Sequence, residues 1–577
     1  MLNLNKEIRS DIEEGIKTAI AAGALASTAD KTNVVVEASS EKGGGKLQEA
    51  ETHRGDYASA VALAMTKQVG KPPMEIVKII AEHMPKKEYI GRMKAAAPGY
   101  LNIWLNPGWM TARLNNLIQD NVCDTVKAGE GKSVNLEFIS ANPTGPLTLG
   151  NVRSAFSVDT LGKVLECAGF NVTREYYFND TGAQVKKLGE SVVRRVLQQK
   201  GETVDYGDEL YQGDYINELG REIAEGLKEN ENKELFQADL VDSQMIERVG
   251  GLAATRLTAD IKKMIAEDMR IEFDVWTSED DLRQKGKVAA VIEKLKASDK
   301  VYKKDGAWYL KTTAYGDSED RVVIKSDGEY AYIAPDIAYH QDKYDRGFDE
   351  IFTFVGADHQ GHLPKVKAAM EALGNDVTKL HQITCQWMRM TKDGQQVKLS
   401  KRLGQIVTPK DLIDEVGYDA MRFFMVQHAL NTHMDFDIGI AKERSERNPV
   451  YYVQYAYVRL QSILRQAKER GVINEVGEVF ELSNSPALTH VQELNLIRQL
   501  YRLPEVIAGV AERFEVHDLP YFAMELAKAI HVFYKHVPVL AGENQELIKN
   551  RLQLVLAARE VMGKTLDLIG VSKPDVM

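Results

Sequence analysis

Between residues 133 and 178 the chain carries an apolar run, VNLEFIS (134–140), a turn-forming stretch, ANPTGPLTLG (141–150), a helical segment near Asn151–Ala168 and a second apolar run near Val172–Phe178. Strand, loop, helix and strand in that order require a crossover between parallel neighbours, the building unit of a doubly wound α/β sheet. Prolines 143 and 146 and glycines 145 and 150 hold the loop in a tight path. A helix starts directly after it, so free amides and the positive end of a helix dipole face whatever binds there. That arrangement suits a polyphosphate, although the stretch read by itself is a Pro/Gly turn. In such sheets ligands lie at the carboxyl ends of the strands.

At 577 residues the chain exceeds what a single core supports, so several domains are expected. Residues 1–125 read as a small α+β unit, with helices near Leu4–Ala22 and Pro73–His83 and strands near Asn33–Glu37 and Tyr100–Leu105. Residues 126–440 read as the α/β domain. A charged, proline-free stretch of helical period at about 185–270 reads as an insertion within it. The sheet is expected to resume with Arg321–Asp327, Ala331–Ala338 and Glu350–His359. From 441 to 577 helical spacing dominates, in Tyr451–Gln466, Leu494–Phe514, Tyr521–His536 and Arg551–Leu568, which predicts an α-helical bundle.

The net charge of -11 argues against coating nucleic acid by charge alone, and leaves room for a local basic surface. No basic segment followed by an apolar one opens the chain and no run of about 18 apolar residues occurs, so neither secretion nor membrane insertion is expected. Cys123, Cys167 and Cys385 lie far apart and form no Cys-x-x-Cys pair, which predicts neither a disulfide framework nor a cysteine zinc site and fits a reducing cytoplasm. Gly45-Lys46 is no phosphate loop, because Ser40 and Leu47 stand where Gly and Ser or Thr are needed. His359-x-x-His362 is no zinc site, for want of a third ligand.

A second informative stretch is Lys398-Leu399-Ser400-Lys401-Arg402, ahead of Gly404 and after the turn Lys392-Asp393-Gly394. Three cations and a hydroxyl on a glycine-bounded loop suit neutralisation of charge developing on phosphates. Together with the first stretch, about 250 residues earlier, it resembles the paired HIGH and KMSKS signatures of class I aminoacyl-tRNA synthetases. Here they read Thr148-Leu-Gly150-Asn151 and Lys398-Leu399-Ser400-Lys401-Arg402. The second is close; the first lacks both histidines, with Thr148 and Asn151 in their places. The flanking SANPTGPL, together with REYYFNDTGAQ (174–184), YQGDYI (211–216), IEFDVWTSED (271–280), GADHQGH (356–362), RNPVYYVQYAYVRLQSI (447–463) and APGYLNIWL (97–105), resembles the arginyl-tRNA synthetase family over nearly the whole chain.

The resemblance implies a Rossmann-type catalytic domain between an N-terminal tRNA-binding domain and an anticodon-binding helical bundle. It assigns catalysis to Thr148, Gly150, Asn151, Lys398, Ser400 and Lys401. It assigns arginine to Glu137, Ser140, Asn142, Tyr332, Asp336 and His359. ATP falls to Pro146, Leu147, Gly150, Asn151, Asp358, His359, Lys398, Leu399 and Lys401, and tRNA to Tyr100, Asn448, Tyr451, Tyr455 and Arg459. Chemistry supports the amino-acid assignment independently, because a guanidinium needs planar acceptors and carboxylates take it in bidentate fashion. ATP is expected as its Mg2+ complex, with no protein-bound zinc or other structural metal. The expected partners are tRNA(Arg) and L-arginine, the location is the cytoplasm and the state is a monomer without membrane attachment. Rival readings are a synthetase for another amino acid, a nucleotidylyltransferase, and a non-catalytic tRNA-binding paralogue suggested by the lost histidines.

Overall fold

The computed structural model describes residues 2–38, 55–226, 236, 243–392, 394–397, 407–480 and 488–577, except the side chains of residues 359, 360 and 362. The stretches Gly43–Lys46 and Lys398–Arg402 lie outside the described residues. Two compact units emerge, one of residues 1–128, 167–169 and 449–577, the other of 129–166 and 170–448.

The second unit is built on a parallel sheet. Its strands are β1 (Ser133–Glu137), β2 (Asn171–Phe178), β3 (Val275–Ser278), β4 (Glu350–Gly356) and β5 (Leu380–Cys385), in the order β5-β4-β1-β2-β3. All four pairings are parallel. β1 is central and both its faces are covered, so Val134, Asn135 and Leu136 are fully buried. Strand order reverses between β1 and β4, so the ligand crevice of such a sheet opens at their carboxyl ends.

Helix α1 (Ala155–Cys167) crosses from β1 to β2, and turns, not helix, occupy 149–154, so the helix begins later than expected. The insertion is helical, with α2 (Gly182–Gln199), α3 (Asp214–Gly226) and α4 (Ser243–Lys263) sharing a core that includes Leu188, Val192, Leu219 and Leu257. The expected strand Ala331–Ala338 is instead the start of helix α5 (Ile333–Asp345). Its nearly continuous apolar residues fit either structure over so short a run, and Pro335 sits in the first turn, where a missing N–H costs no helical bond. Arg321–Ile324 is a strand, but it belongs to a separate antiparallel sheet with Val301–Lys304 and Ala307–Leu310. Helix α6 (Tyr418–Gln427) runs towards the strand Met434–Asp437.

The first unit joins the amino-terminal residues to the terminal helices. A four-stranded antiparallel sheet contains Tyr100–Leu105, while the strand expected at Asn33–Glu37 shrinks to Glu37–Ala38. Among the helices are α7 (Pro449–Glu469) and α8 (Asp518–His536); the helix expected at Leu494–Phe514 divides into Val491–Leu500 and Leu503–Arg513, with Pro504 at the new start. Cys123 and Cys167 form a disulfide with Cα atoms 4.5 Å apart. This corrects the expectation of no disulfide: across a sequence separation of 44 the chain runs out through β1 and returns through α1, which ends on Cys167. Cys385 is free and buried. Among the described residues no helix is long and apolar enough to cross a membrane.

Within this unit Glu505 accepts hydrogen bonds from the Tyr57 hydroxyl at 2.5 Å and the Asn5 amide at 3.0 Å. Burial is the main cause that pushes its carboxyl up to about 7, from an ordinary 4.5. The folded state therefore holds the proton more tightly than the unfolded chain, and stability is lost as pH rises from 4.5 through about 7. Glu505→Gln keeps an acceptor oxygen for both donors and removes the ionisation. Its melting temperature is expected to exceed wild type by a margin that grows between about pH 5 and pH 8. Thermal denaturation across that range checks this, and a margin independent of pH would refute it.

Candidate functional site

The signature loop leaves the carboxyl end of β1 at the switch point. Ile139 and Ser140 both have positive φ, 67° and 43°. A β-branched residue tolerates that region poorly, so the turn is strained and must be held from outside. Neighbours supply the hold. The Tyr176 hydroxyl accepts from the Ala141 amide at 3.0 Å and donates to its carbonyl at 2.9 Å. The Ser140 hydroxyl accepts from the Tyr177 amide at 3.1 Å, and the Asn142 side chain accepts from the Asn179 amide and donates to Gln184. From the insertion, the Tyr215 hydroxyl donates to the Thr144 carbonyl at 2.9 Å.

Thr148 and Asn151 face each other. Asn151 Oδ1 accepts from the Thr148 hydroxyl at 2.7 Å and from the Thr148 amide at 2.9 Å. Both donations go to the oxygen, so the side-chain Nδ2 of Asn151 remains a donor that the Thr148 contact does not use, while its backbone N–H donates to the Thr148 carbonyl at 3.1 Å; Asn151 itself is exposed. Pro146 and Leu147 follow in the same loop, and Leu147 is buried. With Tyr215, Leu219, Leu257 and Ile261 they line a cavity of about 200 Å3 that none of Tyr177, Glu279, Tyr332 or Asp336 borders.

Helix α5 precedes β4, so its amino terminus lies at the same sheet edge as the signature loop. Tyr332 is 74% exposed at its N-cap and Asp336 lies in its first turn, where the dipole favours a carboxylate. Two further residues join them that sequence reasoning did not select, Tyr177 and Glu279. Tyr177 pairs in register with Thr277, so the end of β3 delivers Glu279 beside it. The Tyr177 hydroxyl donates to Glu279 at 2.9 Å and its ring stacks on Tyr339 at 4.3 Å. Burial, and then the charges of Asp336 and Glu279, raise the Tyr177 hydroxyl, so it stays a donor. The Glu279 carboxyl is raised by burial and by Asp336 against the lowering effect of Arg283, which donates to it at 2.7 Å. Two carboxylates and two tyrosines thus converge at one mouth.

Glu137 is engaged beneath this mouth. Its carboxylate accepts from Lys343 at 2.6 Å and Thr353 at 3.2 Å, and all three residues are buried. His340, drawn down to about 4 mainly by burial and then by Lys343, stays neutral beside Thr353. Asp358 lies in the first turn of a short 3-10 helix, Ala357–His362, directly after β4. The histidine side chains of that helix, and Lys398, Leu399, Ser400 and Lys401, lie outside the described residues.

In the first unit α7 and α8 build a stack of rings and one cation. Tyr451 stacks on Tyr455 at 6.0 Å; Arg459 lies 4.5 Å from the Tyr455 ring and 4.8 Å from that of Tyr534. Arg459 donates to His531 Nδ1 at 3.0 Å, and His531 Nε2 lies 3.2 Å from the Tyr452 carbonyl, which defines a neutral imidazole with its proton on Nε2. Tyr534 and His531 were not selected from sequence. Asn448 does not share this surface: it is buried and its amide donates to the Ala441 and Glu443 carbonyls. Tyr100 is exposed at the start of its strand.

A parallel sheet with a strained Pro/Gly loop at its switch point, followed by a helix, is the nucleotide-binding arrangement of the class I synthetases. Residues 113–431 match the model of the class I (R) tRNA synthetase catalytic domain, 6–105 that of the arginyl tRNA synthetase N terminal domain and 453–577 that of the DALR anticodon binding domain. Arginine–tRNA ligase of Bacillus subtilis is 36% identical over 583 residues, with both chains covered completely. That of Geobacillus kaustophilus is 36% identical over 584 residues, again over the whole of both. The solved arginyl-tRNA synthetase of Thermus thermophilus shares the fold over 100% of both chains, with a TM-score of 0.72 at 20% identity. The chain belongs to the arginyl-tRNA synthetase family.

Proposed function

We propose that this chain activates L-arginine with ATP and esterifies it to tRNA(Arg). The observation that carries the reading is the convergence of Asp336, Glu279, Tyr332 and Tyr177 at the sheet edge from which the signature loop emerges. In the first step an arginine carboxylate oxygen attacks the α-phosphorus of ATP, a P–O bond forms and the bond to pyrophosphate breaks. In the second, the terminal ribose hydroxyl of tRNA attacks the acyl carbon and AMP leaves. No covalent enzyme intermediate is needed, so catalysis is positioning and charge neutralisation.

Asp336 and Glu279 take the guanidinium in this reading, with Tyr332 over it and Tyr177 fixed by its stack on Tyr339. Glu137, committed to Lys343, acts by holding the floor of the pocket. Ser140 and Asn142 keep the strained turn in place beside the substrate. Gly150, Asn151 and the first turn of α1 face the phosphates, Thr148 orients Asn151, and Lys398, Ser400 and Lys401 supply the remaining charge and hydrogen bonds. Asp358 and His359 close the nucleotide side, and Mg2+ enters bound to ATP. The Tyr451–Tyr455–Arg459–Tyr534 stack offers ring and guanidinium faces to unpaired bases of tRNA. Asn448 supports the entry to α7. We further propose that the protein acts as a cytoplasmic monomer, with domains 1–125, 126–440 and 441–577.

Incubation with ATP, Mg2+, arginine and total tRNA is expected to give arginyl-tRNA; tRNA binding without charging of any amino acid would overturn the reading in favour of a non-catalytic protein. In the same assay Asn151→Ala is expected to slow activation by about 10- to 1000-fold, since one preorganised donor contributes roughly 1.4 to 4 kcal/mol. Thr148→Ala should cost less, because its hydroxyl orients Asn151. Equal, wild-type rates for both would make these side chains spectators.

A further inference from the structure

Two guanidiniums tie α6 to α1 and to the turn just before it, and they are held in opposite ways. Arg422 of α6 is fully buried, donates to Asp159 of α1 and reaches Thr160 at 3.3 Å and the Tyr418 hydroxyl at 3.1 Å. That pair neutralises its own charge. Arg153, two residues beyond Asn151, is 3% exposed and meets only main-chain oxygens among the described residues. It donates to the carbonyls of Met425 at 3.4 Å, His428 at 3.4 Å and Ala429 at 3.1 Å, at the end of α6, and its Nε has no partner. Beside it, the Ser157 hydroxyl donates to the Met425 carbonyl at 3.1 Å. The free thiol of Cys385, at the carboxyl end of β5, lies in its field.

A buried cation without a carboxylate is expensive, and the negative end of a helix offsets only part of the cost. The connection between α1 and α6 does not require it, since Arg422 and Asp159 already make that connection. What a neutral side chain at 153 would remove is a fixed, buried positive charge carried two residues after Asn151 and held on the end of α6, in a low-dielectric setting where charge acts strongly.

We propose that Arg153 is a positioning residue for the activation step: it fixes the signature turn on the last carbonyls of α6 and keeps an unneutralised positive charge behind the phosphates of ATP. The inference rests on the reading of Asn151 and the first turn of α1 as the phosphate-facing elements. Arg153 touches no substrate and acts through the turn it supports. Its retention is a case of stability given up for activity.

The test compares Arg153→Met, Arg153→Lys and Ser157→Ala with the wild-type chain in tRNA-dependent charging of arginine, with thermal denaturation alongside. Arg153→Met is expected to lower kcat by about 30-fold or more, with KM for arginine within about threefold and a melting temperature equal to or above wild type. Arg153→Lys, which keeps the charge without the fork, should recover at least about half of that loss on a logarithmic scale, and Ser157→Ala should stay close to wild type. A merely structural role would give the reverse, a lower melting temperature with kcat unchanged, and would overturn the proposal. So would a Lys variant as slow as the Met variant. If Arg153→Met fails to fold, a cooperatively folded Arg153→Gln replaces it, and wild-type kcat in that variant overturns the proposal equally. A wild-type chain that charges nothing would remove the underlying reading as well, whereas an active wild type with an equally active, folded Met variant removes this inference alone.

Discussion

Lysine is expected to be charged at least about 10^4-fold less efficiently than arginine, the discrimination typical of a site whose buried polar groups are left unpaired by the wrong substrate. The reason lies in geometry. A guanidinium presents a planar fork of donors, and the mouth formed by Asp336, Glu279 and the tyrosine hydroxyls offers acceptors fixed from several directions. An ammonium is a compact point charge that meets one carboxylate without spanning to its neighbour, Glu279 being held besides by Arg283 and the Tyr177 hydroxyl. That neighbour matters here, because Asp336 already raises the Glu279 carboxyl and ionising both without a fork between them costs more. Competitive charging with the two amino acids measures the ratio. Glu279→Gln and Asp336→Asn should each lower kcat/KM for arginine by about 100-fold, the effect of removing a charged partner from a buried hydrogen bond. Charging of lysine at a rate comparable to arginine would dismiss the pocket as described.

Lys401→Ala is expected to slow adenylate formation by about 100-fold or more while the dissociation constant for arginine stays within about threefold. A cation that neutralises charge only as the α-phosphorus becomes five-coordinate contributes to the transition state and little to the ground state. Lys401 stands in a stretch of three cations bounded by glycine, with the turn Lys392-Asp393-Gly394 before it. Its contribution is separable from that of the Asp336 pocket, since one binds the side chain of the amino acid and the other acts on the phosphates. Single-turnover measurement of adenylate, set against equilibrium binding of arginine, tests this. An unchanged rate would reduce the stretch to a solvated loop.

Much of the architecture was legible in the chain because local periodicity and turn chemistry determine it. Pro73–His83 and Tyr100–Leu105 are a helix and a strand with the bounds that apolar spacing marks, and strand, loop, helix and strand follow one another around the signature as residues 134–178 predict, the helix starting only at Ala155. Ala331–Ala338 was misread because so short an apolar run is compatible with either period, and only the packing of Ile333, Ala334, Ile337 and Ala338 into one core makes it a helix. The consequence is favourable to the site, since Asp336 comes to lie in a first helical turn at the sheet edge.

The sequence by itself determined the family, the parallel α/β core, the two signatures and Asp336 as a candidate for arginine, because these are carried by short stretches whose chemistry is local. Tertiary structure alone decided who stands next to whom. Tyr177 and Glu279 are about a hundred residues apart and meet because β2 and β3 are neighbours in register. Cys123 and Cys167 meet because β1 and α1 carry the chain out and back. Glu137, which as an acid ahead of the signature loop looks like a substrate ligand, is claimed by Lys343 from a helix 206 residues away. Arg153, which as one residue in a motif carries no message, meets only carbonyls of the helix end that covers it and no carboxylate among the described residues. Long-range pairing of buried charges is set by which elements pack together, and no local pattern of residue types encodes that.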